Sequence, residues 1–247
     1  MSDDLPAASG DVLTAGSSYI WMLRVLVRLV ADGALIATLL FGSAGTGDWW
    51  RAWVLLAVLL IVRTITAVAV YHVNPDLLRE RARLPIHRDQ PWTDRLLLLA
   101  VITTGFVGLP AVAALDVFHW HLLPRPAPVL SVLGLVLFAV GWGIKGLALR
   151  ANAFATAVVR VQRERQHAVV DTGVYGIVRH PFYAGTPLVL AGLGLWLESS
   201  AAALFAVVPT ALMVIRLELE ERFLRRELPG YSAYTARVPY RLLPKIW

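Results

Sequence analysis

Six apolar stretches punctuate the chain, at roughly residues 21–41, 51–72, 95–117, 129–149, 182–197 and 201–216, each bounded by polar or Pro/Gly-rich residues. The first four reach the about 20 residues that a helix needs to cross a hydrocarbon layer. The last two are shorter, and only Glu198, Ser199 and Ser200 separate them. That spacing predicts a tight helical hairpin that crosses at an angle or incompletely. Residues 1–20 carry Asp3, Asp4, Asp11 and many small residues, with no basic region leading into an apolar core, and read as a disordered tail and not as a signal peptide.

Composition agrees with the pattern. Of 247 residues, 57% are hydrophobic and only 16% charged, against about 25% charged in soluble domains. The fold class predicted is an all-α polytopic integral membrane bundle of about six segments ending in a hairpin. Residues 1–20 form the tail, 21–149 a four-helix membrane region and 150–247 a separate functional region. With no cysteine, disulfides, thiolate nucleophiles and zinc-thiolate or iron–sulfur sites are excluded.

The net charge is +6, and its location decides its meaning. Five arginines fall in residues 73–95, five in 150–180, and six plus Lys245 in 216–247, while the loops between hold only Arg51 and Arg125. By the positive-inside rule the three basic stretches face the cytoplasm, with both termini inside. Basic charge distributed in this way serves topology, so nucleic acid is not expected as a partner. Trp49, Trp50, Trp53, Trp120 and Trp196 fall near the outer ends, where aromatic rings favour the headgroup layer. An Arg/Ala/Val-rich style fits a bacterial inner membrane.

Several polar residues lie inside apolar segments. Arg24, Arg28 and Asp32 share one helix face at i,i+4 spacing. Asp32 and Arg63 each lie about 14 Å from the outer boundary at 1.5 Å per residue, so they are expected to pair, as intramembrane charges do. Lys145 lies near the inner end of its segment and is expected to snorkel. His119 and His121, without nearby carboxylates or cysteines, read as interfacial histidines and not as a metal site.

The most informative stretch is Gly173-Val-Tyr175-Gly-Ile-Val-Arg179-His180-Pro181-Phe182-Tyr183-Ala-Gly185. Beyond the hairpin come Arg216, Glu220, Glu221, Gly230, Tyr231 and Tyr234. Pro181 suits the first turn of a helix and puts His180 at its mouth, beside free backbone N–H groups. Arg216 and Glu220 are four apart on the returning helix. The hairpin is therefore expected to gather His180, Tyr183, Arg216 and Glu220 into one inner-leaflet site for a zwitterionic cofactor and an anionic lipid headgroup.

Together these residues resemble the isoprenylcysteine carboxyl methyltransferase family, and more broadly the membrane methyltransferases that include phospholipid N-methyltransferases. The shared features are an RHPxYxG segment, a hairpin, a Glu-Glu pair and a GxxYxxY-like tail, over about residues 150–247. The resemblance implies an S-adenosyl-L-methionine pocket formed by Arg160, His167, Ala168, Val169, Val170, Tyr175, His180, Pro181, Phe182, Tyr183 and Glu220. It implies that His180, Arg216 and Glu220 serve catalysis, with Arg216 holding the acceptor carboxylate. Arg160 stands where eukaryotic members carry Gln, with Gln162 two residues on, and Val174 replaces a proline of bacterial members.

The implied activity is carboxyl O-methylation of a prenylated or lipid-like acceptor drawn from the bilayer. An ionised carboxylate needs no general base. An amine acceptor, as in phospholipid N-methylation, must be neutral, and Glu221 is then the candidate proton acceptor. The membrane sterol reductases, which use NADPH, also resemble this C-terminal region but typically carry Asn where Phe182 or its neighbour stands, and that reading is disfavoured by the lack of this Asn. A scaffold or channel leaves the RHPFYAG pattern and the Arg216/Glu220 pair unexplained.

Overall fold

In the computed structural model, residues 10–81, 92–156, 160–162 and 165–247 are described, with side chains from Met22 onward. Arg83, Arg88 and Arg163 of the basic stretches lie outside the described residues, as do residues 1–9.

The described chain forms helices and no strand. They are α1 (Gly10–Ala44), α2 (Trp50–Tyr71), α3 (Pro75–Arg81), α4 (Trp92–Val101), α5 (Leu109–Leu115), α6 (Pro128–Ala151), α7 (Pro181–Trp196), α8 (Ser200–Phe205), α9 (Val207–Glu227) and α10 (Tyr231–Arg237). Helix α1 starts at Gly10, so residues 10–20 are helical where composition suggested a disordered tail. Two π-helical stretches, Ile102–Gly108 and Asp116–Trp120, link α4 and α5 into one apolar rod from Trp92 to Trp120. Five helical stretches are long and apolar enough to cross a membrane: Met22–Ala44, Trp50–Tyr71, Trp92–Trp120, Pro128–Ala151 and Ser200–Glu227. The sixth expected segment, α7, has 16 residues. Its length of about 24 Å falls short of a hydrocarbon layer about 30 Å thick.

The closest packing joins α6 to α7. Gly134 and Gly141 are seven residues apart on α6, and Gly185 and Gly192 are seven apart on α7, so each pair lines one helix face. The faces meet antiparallel. A Cβ on Gly141 would lie 2.6 Å from the Gly185 carbonyl oxygen, and one on Gly192 would lie 2.5 Å from that of Gly134. Small residues at such spacing let backbones touch in a lipid-facing bundle.

The hairpin itself is tight only at its turn, where a Cβ on Gly194 would strike the Ala203 backbone. Ser199 caps α8 by accepting from the Ala202 N–H, and donates to Asp116 at 2.6 Å. From there α9 leans on α4 and away from α7, so the two arms part toward the end of the bundle that bears residues 150–180 and 216–247.

At the opposite end Arg51 closes the bundle. It donates to the Trp196 carbonyl, pairs with Glu198 at 2.9 Å, and lies over the Trp50 and Trp196 rings, while Trp196 Nε1 donates to the Arg51 carbonyl. Asp32 and Arg63 pair at 2.7 Å as the spacing predicts, with Arg28 at 3.9 Å from Asp32. His119 and His121 meet backbone carbonyls, at 3.0 Å and 3.3 Å. No group of metal-binding side chains occurs among the described residues.

Two outcomes follow from this packing. Gly141→Ala should destabilise the protein by about 1–3 kcal/mol through overpacking. Gly143→Ala, whose Cβ would meet nothing within 4 Å, should be neutral or slightly stabilising. Thermal unfolding in detergent compares the two, and equal melting temperatures would refute the close contact. Asp32→Arg and Arg63→Asp should each lower the yield of folded protein by stranding a charge, a cost of about 2–3 kcal/mol. The double reversal should recover most of that yield, measured by size-exclusion chromatography of membrane extracts.

Candidate functional site

The parting of α7 and α9 leaves a cavity of about 450 Å³ that runs from the basic end deep into the bundle. Its inner length is apolar, walled by Leu55 and Leu59 of α2, Leu98 and Phe106 of the Trp92–Trp120 rod, Phe138 of α6, Leu190 of α7 and Met213 of α9. Its mouth is polar. Of the residues expected to form the site, Arg160, His167, Ala168, Val169, Val170, Tyr175, His180, Phe182, Tyr183, Arg216 and Glu220 all line this one cavity. Pro181 does not; it occupies the first turn of α7, where its ring costs no helical hydrogen bond.

A row of polar groups crosses the mouth from α4 to α9. Arg216 Nε donates to Asp94 Oδ1 at 2.8 Å and Nη1 donates to the Tyr183 hydroxyl at 2.6 Å. That hydroxyl in turn donates to Glu220 Oε2 at 2.6 Å. Arg216 and Asp94 are both about 95% buried, so removing either would leave its partner charged and desolvated, at a cost of about 3–5 kcal/mol. Asp94 escaped the sequence reading because it stands one residue before the third apolar stretch. An acid in the first turn of a membrane helix was the available signal.

Glu221, the neighbour of Glu220, turns the other way. It accepts from Arg179 Nε and, at 2.6 Å, from Arg241 Nε. Arg179 also donates to the Val238 carbonyl, and the Arg179 and His180 N–H groups donate to the carbonyls of Tyr240 and Arg241. This knot binds the C-terminal tail across the start of α7. Glu221 is buried in it, away from the cavity, which corrects the expectation that it accepts a substrate proton.

The connection from α6 to α7 makes the remaining wall. His167 stacks on Phe154 at 4.4 Å between ring centres. Gln162 holds this turn together, donating to the Phe154 carbonyl and accepting from Arg165. Arg160 faces the cavity and lies 3.7 Å from Glu80 of α3. Residues His167–Val170 run past the mouth as coil. Tyr234 anchors the far side by donating to the Tyr175 carbonyl.

Besides Trp142 Nε1 on the α6 side, two polar atoms of the wall are left over among the described residues. His180 Nε2 and the Tyr231 hydroxyl are buried and make no hydrogen bond among the described residues. Burial holds the His180 imidazole below its usual pKa, with Glu220 and Glu221 opposing that shift, so the ring is neutral at pH 7. Burial pushes the Tyr231 hydroxyl up. Unsatisfied buried groups cost about 1–3 kcal/mol each, and here they face a cavity large enough for a ligand. A polar cofactor with its own donors and acceptors fits these residues.

Lys145 departs from expectation. It does not snorkel but is 8% exposed, with Nζ 3.9 Å from the centre of the Phe182 ring and donating to Thr186 Oγ1 at 2.7 Å. Arg81 of α3 lies 5.1 Å from the same ring and donates to the Ala155 carbonyl.

Residues 129–229 match the family model described as phospholipid methyltransferase. Protein-S-isoprenylcysteine O-methyltransferase B of Arabidopsis thaliana is 32% identical over 124 residues, covering 49% of this chain and 59% of the relative. The cobalt-zinc-cadmium resistance protein CzcN of Cupriavidus metallidurans is 31% identical over 100 residues, 39% of this chain and 45% of that protein. The chain thus spans less than two thirds of the length of the curated relatives it matches. The fold resembles the solved structure of a eukaryotic intramembrane Ras methyltransferase, isoprenylcysteine carboxyl methyltransferase. The TM-score is 0.52 at 16% identity, over 98% of this chain and 88% of that one. Five membrane-length apolar helices and this shared fold make the chain an integral membrane protein. Family model, sequence relatives and fold thus place the same likeness on this chain: residues 129–229 are similar to phospholipid methyltransferases, about half of the chain is similar to protein-S-isoprenylcysteine O-methyltransferases, and the fold resembles that of isoprenylcysteine carboxyl methyltransferase.

Proposed function

We propose that this protein is an S-adenosylmethionine-dependent carboxyl O-methyltransferase. It acts on a prenylated or lipid-like acid at the cytoplasmic face of the membrane. The observation that carries the reading is one cavity with a polar mouth and an apolar interior, because such a shape accepts a polar donor from water and an apolar tail from the bilayer. The relatives named for isoprenylcysteine O-methylation support the same reaction.

The donor supplies a methyl group on a sulfonium, transferred by in-line displacement. The protein's part is positioning and exclusion of water. His180 Nε2, the Tyr231 hydroxyl and Glu220 offer the donor's polar portion neutral and anionic partners. Tyr183 bridges Arg216 and Glu220 and so fixes the height of the carboxylate relative to α7. Phe182 and the apolar wall keep water from the acceptor end, where a carboxylate, already ionised at neutral pH, forms the new C–O bond with no proton to remove. The basic segments around the mouth supply the orientation, keeping it on the cytoplasmic side.

Purified protein incubated with methyl-labelled S-adenosylmethionine and a prenylated carboxylate should yield label that base hydrolysis releases as methanol. Label resistant to hydrolysis in extracted phospholipid would instead identify N-methylation. Glu220→Gln and His180→Ala should each weaken donor binding by about 1.5–3 kcal/mol, roughly ten- to a hundredfold in Kd. Titration calorimetry checks this, and unchanged donor Kd in both variants would remove these residues from the donor site.

A further inference from the structure

The cationic and anionic groups of the cavity are not mixed. On the α9 side, Arg216 already engages Asp94 and Tyr183, and Glu220 lies one hydroxyl further along. An acceptor carboxylate brought there would meet two carboxylates and a guanidinium whose Nε and Nη1 are in use. On the α6 side the situation is reversed. Lys145 is more than nine-tenths buried, and its only hydrogen-bond partner among the described residues is the neutral Thr186 hydroxyl. Across the Phe182 ring stands Arg81, whose hydrogen bond goes to a neutral carbonyl. Neither cation has a carboxylate partner among the described residues. A buried ammonium without a counter-ion is costly, and here all four side chains, Lys145, Thr186, Phe182 and Arg81, line the cavity.

We propose that Lys145 and Thr186, with Arg81 behind Phe182, form an anion subsite that receives the carboxylate of the acceptor, in place of Arg216. The apolar interior then takes the acceptor's hydrocarbon tail, while the Glu220 side takes the positively charged donor. The close approach of Gly141 and Gly185 builds this subsite. Lys145 is one turn beyond Gly141 on the same face, and a Cβ on Gly185 would lie 3.0 Å from Lys145 Cγ, so the ammonium is delivered directly onto Thr186. The subsite rests on the methyltransferase reading for its biological ligand, but its anion preference is a property of the cavity alone.

The test measures binding to the full-length protein in nanodiscs, without turnover. The probes are N-acetyl-S-farnesylcysteine and its uncharged carboxamide, which share the tail and differ in the charge. Wild-type protein should bind the acid at least about tenfold more tightly than the amide, the scale of one charge-assisted hydrogen bond. Lys145→Met should abolish that preference and leave the amide Kd within about twofold, whereas Lys145→Arg should retain it. Arg81→Gln, which leaves the membrane core untouched, should reduce the preference about threefold and serves if Lys145→Met fails to fold. Equal affinity of the wild type for acid and amide would overturn the subsite, as would an undiminished preference in Lys145→Met or, where that variant fails to fold, in Arg81→Gln. A parallel assay of methyl transfer to the acid separates the two ideas. A Lys145-dependent preference without methylation keeps the subsite and removes the methyltransferase reading. Methylation with the preference intact in the variants does the opposite.

Discussion

The backbone contact between α6 and α7 is the constraint on which the site depends. Lipid tails are as apolar as leucine, so helices in a membrane gain little by hiding apolar side chains from them and associate through close packing instead. Four glycines in two heptad-spaced pairs remove the side chains that would hold α6 and α7 apart. Once the two backbones touch, the register of α7 against α6 is set within a fraction of a turn. That register brings Phe182 under Lys145 and Thr186 within reach of its ammonium. It also points His180 and Tyr183 into the same cavity.

A second constraint acts on the other arm of the hairpin. Helix α9 would close the cavity if it packed along α7, but Arg216 reaches Asp94 of α4 and draws α9 aside. The buried ion pair therefore sets the width of the mouth, which is consistent with buried charges being retained for placement more than for stability. Tyr183 spans the gap that results, donating to one helix-α9 residue and accepting from another.

The knot of Arg179, Glu221 and Arg241 closes the remaining side. Two charged hydrogen bonds on one carboxylate, added to backbone bonds from residues 179 and 180 to Tyr240 and Arg241, tie the tail to the start of α7 behind the wall. The Glu-Glu pair is thus divided by the helical rotation of about 100° per residue. Glu220 faces the cavity and Glu221 faces the tail.

Much was legible in the sequence by itself, because periodicity and charge act locally. Five of the six apolar stretches became membrane-length helices, the i,i+4 rule put Arg216 and Glu220 on one face, and distance from the segment ends predicted the Asp32–Arg63 pair. The HP dipeptide located the start of α7. What the sequence could not decide was which charges would find partners, since that depends on contacts between helices far apart in the chain. Asp94 lies 122 residues from Arg216, and Glu221 lies 42 from Arg179. Lys145 looked free to reach the surface, yet the tertiary approach of two glycine faces traps it inside. Arg216 looked available to a substrate, yet a distant helix already holds it. The sequence determined which residues could meet at one end of the bundle. Only the packing of α4, α6, α7 and α9 decided which of them were engaged and which faced the cavity without a counter-ion among the described residues.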